Sequence, residues 1–247
     1  EIRETKIGSN TDGIVINNDS RAKMRGVEIG SGKTAIRATG TGEVETDEIE
    51  IESKESGIEI GSESEISIGA GSRIESVETA IKIKGTGVRS YRGIEIIGKR
   101  AIDNGSSQTS IRDSEIEGQI QTSAIGEIKI ESSQVGEIEV TGQGRAEIIG
   151  SEIAGEKIEV KGSGIIEIEG SEIEIESGIE IGDSGKFVID GSKINSGKGI
   201  SKKGPESTKI ISSEIASGGV GIEIDGGELE IRETKIGSNT DGIVINN

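Results

Sequence analysis

The residues able to do chemistry in this sequence are carboxylates and hydroxyls, and they recur. Ser9-Asn10-Thr11-Asp12-Gly13-Ile14 sets a carboxylate in a turn-forming phrase, and Asp241 stands in the same phrase near the other end of the chain. A small hydroxyl also falls two residues before an apolar position at Thr5, Ser114, Ser133, Ser151, Ser171, Ser192, Ser213 and Thr234. Acids recur in further series, Glu139, Glu159 and Glu180 in one and Glu152 and Glu172 in another. Those types suggest hydrolysis by paired carboxylates, attack by a serine, or calcium held by oxygens. A file of serines without a base has no activated nucleophile, whereas a hydroxyl at a bend bonds backbone or its stacked neighbour. A hard cation needs about six to eight converging oxygens, and a flat ladder offers few. Lys82 beside Glu59, and Lys193 between Glu172 and Glu214, balance the charge of some series.

The other usual instruments of catalysis are missing. Histidine and cysteine are both absent, which removes the commonest acid–base group, thiolate ligands and disulfides. Gly182-Asp183-Ser184-Gly185 and Ser217-Gly218-Gly219 read as turns, since neither opens a helix as a phosphate-binding loop must. Lys198 to Lys203, running into Gly204-Pro205, is the one basic cluster and is too short to hold a nucleic acid. The net charge of −18 opposes phosphate backbones and anionic membrane surfaces, so neither nucleic acid nor membrane is an expected partner. No apolar run is long enough to span a bilayer, no signal peptide is visible, and the chain opens on Glu1 as if trimmed. No cofactor is expected, and the localisation stays open.

The elements that must position these residues are short strands. Apolar residues make up 30% of the chain and aromatics 1%, too little for an ordinary core, but isoleucine is spread at period two. G-I-x-I and its relatives place one anchor at Ile14, Ile36, Ile58, Ile81, Ile102, Ile120, Ile138, Ile158, Ile179, Ile200, Ile222 and Ile243, at steps of 18 to 23 residues. An earlier anchor runs from Ile2 through Met24, Val44, Ile68, Val88 and Ile111 to Ile231. A middle one includes Ile7, Ile29, Ile116, Val135, Ile153, Ile173, Ile194, Ile215 and Ile236, with Ile49 and Ile51 competing for one place. Three short strands per turn, stacked into one column of isoleucine with solvent-facing residues between anchors, is the signature of a solenoid. Between the middle and third anchors the spacing shrinks at Ile116–Ile120, Val135–Ile138 and Ile153–Ile158, which predicts a corner pinched near the middle of the stack, with a groove there able to take a chain-like ligand.

The phrases IEIEGSEIEIESGIEIG, Ile166 to Gly182, and FVIDGSKINSGKGI, Phe187 to Ile200, resemble the right-handed parallel β-helix of the pectin lyase-like superfamily over essentially the whole chain. The resemblance implies an all-β, right-handed, three-faced β-solenoid of about twelve rungs, here taken as a single domain, 1–247. Asn10-Thr11-Asp12-Gly13 also looks like the N-T-D-G motif of polygalacturonases on that fold. That family's paired aspartates should follow one rung later, where Gly32-Lys33-Thr34-Ala35-Ile36 has neither acid, and its G-H-G motif is impossible without histidine. Pectate lyases of the same architecture use calcium among clustered carboxylates. The expectation is therefore no enzyme, with no catalytic, cofactor or metal residue assigned.

Residues 230–247 repeat residues 1–18 letter for letter at an offset of 229. That duplication, the narrow alphabet and the E-I-E-I monotony point to an engineered or computationally designed structural scaffold. The alternatives are a carbohydrate- or calcium-binding module using the acidic ladders and pinched corner, and a vestigial polysaccharide-degrading enzyme. The expected partner, if any, is the chain itself through end-to-end stacking of its terminal rungs, and otherwise it is a monomer.

Overall fold

Period-two alternation gives strands, and stacked strands pair in parallel when each turn repeats the last. The computed structural model describes residues 1–61, 63–182 and 184–246, leaving out Ser62, Asp183 and Asn247. Among the described residues there is no helix, and parallel strands stack as a β-solenoid of about twelve turns. The chain falls into two compact units, residues 1–129 and 130–247.

Within residues 1–129 the third anchors stack in the expected register: Ile14 on Ile36, Ile36 on Ile58, Ile58 on Ile81, Ile81 on Ile102 and Ile102 on Ile120. The middle column runs Ile7, Ile29, Ile51, Ile74, Ile96, Ile116, so Ile51 wins the contested place. Ile49 instead sits buried at the preceding corner. The first column departs from expectation at two turns. Thr46, not Val44, follows Met24, and Tyr91, not Val88, follows Ile68. Val44 lies inside two residues earlier in its strand, and Val88 points out to solvent. A threonine and a tyrosine at inward positions hide the isoleucine period there.

Within residues 130–247 the same three columns continue. Ile148, Ile168, Ile189, Ile210 and Ile231 form the first. Val135, Ile153, Ile173, Ile194, Ile215 and Ile236 form the second. Ile138, Ile158, Ile179, Ile200, Ile222 and Ile243 form the third. Each fully buried isoleucine contributes roughly 1.5–3 kcal/mol. The core is also wider than one residue per strand, because Ile66, Ile83, Val140, Val160, Ile166, Phe187 and Ile224 are buried as well. The expectation that every residue between anchors faces solvent is corrected accordingly: many strands turn a second residue inward.

In several turns the second and third strands run on as one, as in Arg73–Ile83, Glu95–Asn104, Glu115–Thr122, Glu152–Val160 and Glu172–Ile181, whereas at the shortest spacing, Val135 to Ile138, they stay separate as Gln134–Val135 and Ile138–Val140. The fused strands carry register shifts, between Ile97 and Arg100 and between Gly155 and Lys157, which absorb the unequal turn lengths.

The other bend, between first and second strands, is uniform. A residue with φ between 45° and 75° sits there turn after turn, glycine at Gly26, Gly71, Gly93, Gly150, Gly170 and Gly191. At Glu4, Glu48, Asp113, Ser132, Ser212 and Glu233 the same left-handed conformation is held by a residue with a side chain. Its N–H still reaches the next turn, as in Gly170 to Asp190 O at 2.9 Å and Ser212 to Arg232 O at 2.9 Å. The chain thus changes direction without interrupting the ladder of backbone hydrogen bonds.

Candidate functional site

The hydroxyl row lies one residue past that left-handed corner, and each member serves two turns. Ser171 Oγ donates to Glu169 O at 2.9 Å and accepts from Ser151 N at 3.2 Å. Ser192 Oγ does the same with Asp190 O and Ser171 N, and Ser213 Oγ with Ile211 O and Ser192 N. Thr234 continues the file, accepting from Ser213 N at 3.4 Å. Ser72 belongs to it too, accepting from Ile49 N at 3.3 Å, although its turn had no clear register in the sequence. Val27, Ile49 and Ile94 replace the hydroxyl at the equivalent corners, where they are buried. Both hydrogen-bonding functions of these serines go to backbone.

Asp12 is drawn into a charged column. Arg37, one turn on, lies 3.3 Å from Asp12 and 3.5 Å from Glu59, and Lys84 completes an ion pair with Glu59. Burial alone would raise the Glu59 carboxyl, but the hydrogen bond from Lys84 and the charges of Lys84, Arg37 and Lys82 hold it below the usual carboxylate range. Gly13 of the same phrase is there for packing. A Cβ on it would lie 2.7 Å from both Ala35 O and Ile29 Cγ2, and a Cβ on Gly57 or Gly221 would meet equivalent neighbours as closely. The N-T-D-G resemblance therefore marks a tight approach between turns.

The acidic series stack as expected and are threaded with lysine. Glu139 pairs in register with Glu159 and Glu159 with Glu180, while Glu152 lies beside Glu172. Lys161 contacts Glu139 at 2.8 Å and Glu159 at 3.0 Å, and Lys157 contacts Glu159 at 2.6 Å. Burial pushes the Glu159 carboxyl up, and the hydrogen bonds and charges of these two lysines bring it down further than burial raises it. Lys193 bonds Glu172 at 2.8 Å, and Lys235 takes Glu214 at 2.7 Å. Among the described residues, no three acids are grouped so that they could hold a metal ion.

A cleft of about 500 Å³ opens beside the fused strands of the first unit. Glu52, Glu75, Glu117, Lys99 and Val77 line it, with Ser76 at its base. In the second unit a smaller hollow of about 240 Å³ has a balanced lining that includes Glu159, Lys161, Glu180 and Lys203.

Two cations are inside the molecule, where sequence reasoning had not placed them. Arg89 is fully buried and donates to Thr86 O at 3.0 Å and Val88 O at 3.1 Å. Lys202, within the basic cluster Lys198 to Lys203, is also fully buried, and its Nζ donates to Lys203 O at 2.8 Å and Gly204 O at 2.9 Å. Burial lowers the pKa of both. Each ties down turn carbonyls that would otherwise be orphaned. The only signal was the period: both occupy inward places in their strands. Of the two glycine-rich turns, Ser217 Oγ donates to Val220 O and accepts from Gly219 N, a local turn lock. Asp183 of the other lies outside the described residues, as does Asn247 of the terminal repeat. Compared with protein-family models, curated proteins and solved structures, the chain matches none.

Proposed function

We propose that this chain is a structural repeat scaffold without catalytic activity, a designed version of a parallel β-helix of the pectin lyase-like kind. One observation carries the reading: the serines of the corner row and the acids of the stacked series named above are already engaged within and between turns. The serines serve backbone on both sides, and Asp12, Glu59, Glu159 and Glu172 are held by cations of their own or adjacent turns. The exact repetition of residues 1–18 at 230–247 supports the design origin. Incubation with pectin and polygalacturonate, followed by assay for reducing ends and unsaturated products, tests the claim. A scaffold releases neither, and release that disappears in Asp12→Asn would overturn it.

A second reading, a carbohydrate- or calcium-binding module, has the acidic cleft of the first unit in its favour. It requires the lining carboxylates to converge on a ligand, and saturable binding that Glu75→Gln weakens would favour it.

A further inference from the structure

Four consecutive turns within residues 1–129 set one row of side chains along the 500 Å³ cleft. Glu52 pairs in register with Glu75, Glu75 with Ile97 and Ile97 with Glu117, so the row reads acid, acid, isoleucine, acid. Stacked strands lie about 4.8 Å apart, which spreads the first and last carboxylates over about 14 Å. Arg73 holds Glu75 at 2.9 Å, whereas the carboxylates of Glu52 and Glu117 have no partner among the described residues.

The residues that follow this row form the floor. Ser53 pairs with Ser76 and Ser76 with Gly98. One turn earlier the same place is held by Ser31, whose Oγ donates to Thr11 O and accepts from Lys33 N at 3.2 Å. Ser53 and Ser76 line the cleft, are only 8% and 3% exposed, and have hydroxyls without a partner. Val77 walls the cleft with an apolar side chain that is 68% exposed.

We propose that this cleft binds a linear aliphatic polyamine, laid along the stack with ammonium groups at Glu52 and Glu117 and its methylene stem over Ile97 and Val77. Two unpaired carboxylates attract a cation, and their separation selects one whose charges are spread along a chain. A metal ion has a single centre, and no three acids among the described residues are grouped to hold one. An isoleucine between the acids and an exposed valine beside them favour a stem of methylenes over a ligand polar throughout. The unpartnered serine oxygens can accept from N–H groups, of which each ammonium carries more than one. Lys99 on the lip has the occupant's own sign and works against it. The proposal rests on the premise of the second reading, that this cleft takes a ligand, and puts a cationic chain in place of calcium or saccharide.

The test is isothermal titration calorimetry of the full chain at fixed ionic strength with spermine, spermidine and putrescine. Hexaamminecobalt(III), which has the charge of spermidine without its stem, and calcium chloride are titrated beside them. Expected is one saturable site, tightest for spermine, with hexaamminecobalt(III) well below spermidine. Glu52→Gln and Glu117→Gln should each weaken spermine binding about fivefold, and Lys99→Gln should tighten it about threefold. Glu174→Gln, which removes the same charge from residues 130–247, should leave it unchanged. Ser76→Ala should weaken it about threefold without lowering stability in urea, because its hydroxyl bonds nothing in the fold. Far-UV circular dichroism checks that each variant retains its strands. The absence of saturable polyamine binding overturns the proposal. So does binding that hexaamminecobalt(III) equals, or that Glu174→Gln weakens as much as Glu52→Gln, since charge alone then explains it. A calcium site without a polyamine site overturns it too, and leaves the second reading standing.

Discussion

A serine one residue beyond a left-handed corner can accept from one turn and donate back within its own, and this chain uses that geometry repeatedly. Ser171 accepts from Ser151 N and donates to Glu169 O. Ser171→Ala leaves the Ser151 N–H without its acceptor and should destabilise the fold by about 1–2 kcal/mol in urea denaturation, as for other buried donors left unpaired. Tyr91 is the residue with the opposite character. It is the sole tyrosine, it is buried, and its hydroxyl has no partner. Burial raises its pKa above the ordinary 10.0, with the nearby charge of Arg89 only partly opposing. The folded state therefore keeps a proton that the unfolded chain releases above that pH. Stability from this group is full below pH 10 and declines as pH rises beyond it. Because no other tyrosine absorbs, the tyrosinate band should stay silent past pH 10 and appear together with loss of the strand signal. A band that develops near pH 10 in the folded protein would contradict the burial of Tyr91.

Among the elements, the uniform corner holds the clearest unspent stability. Glycine takes the left-handed conformation freely, while a residue with a Cβ is strained there by roughly 1–2 kcal/mol. Ser212→Gly should stabilise the fold by about 0.5–1 kcal/mol, and Gly170→Ala, whose Cβ would meet nothing within 4 Å, should destabilise it by about 1 kcal/mol through backbone strain alone. Denaturant midpoints of the two variants would move in opposite directions. This corner also shows what the sequence conceals. The third column, Ile14 to Ile243, was legible because a repeated G-I-x-I phrase carries both its turn and its anchor. The first column was misplaced at Thr46 and Tyr91, since a polar or bulky residue at an inward position does not register as an anchor. Glu48 and Ser132 in left-handed conformation carry no glycine signal. Nothing but the period marked Arg89 and Lys202 as buried, because a cation that ties down turn carbonyls one to three residues away carries no apolar signal. Of the candidate site, the hydroxyl row, the acidic ladders and Lys82 beside Glu59 were visible, while Arg37 and Lys84 as partners of Asp12 and Glu59 emerge only from the register of stacked turns.

Across the molecule, a net charge of −18 is distributed along ladders in which lysine and arginine interrupt the acids. Such exposed pairs contribute little individually, about 0–1 kcal/mol each, and their main effect is to keep stacked carboxylates from repelling one another. A scaffold built this way has no vacancy that a particular divalent ion fills, whereas a binding module with the same charge would have one. Thermal melting in millimolar calcium chloride, beside magnesium chloride and sodium chloride matched for ionic strength, separates the two directly. The scaffold account predicts one common shift that follows ionic strength alone. A saturable rise in melting temperature specific to calcium, lost on Glu75→Gln, would contradict it.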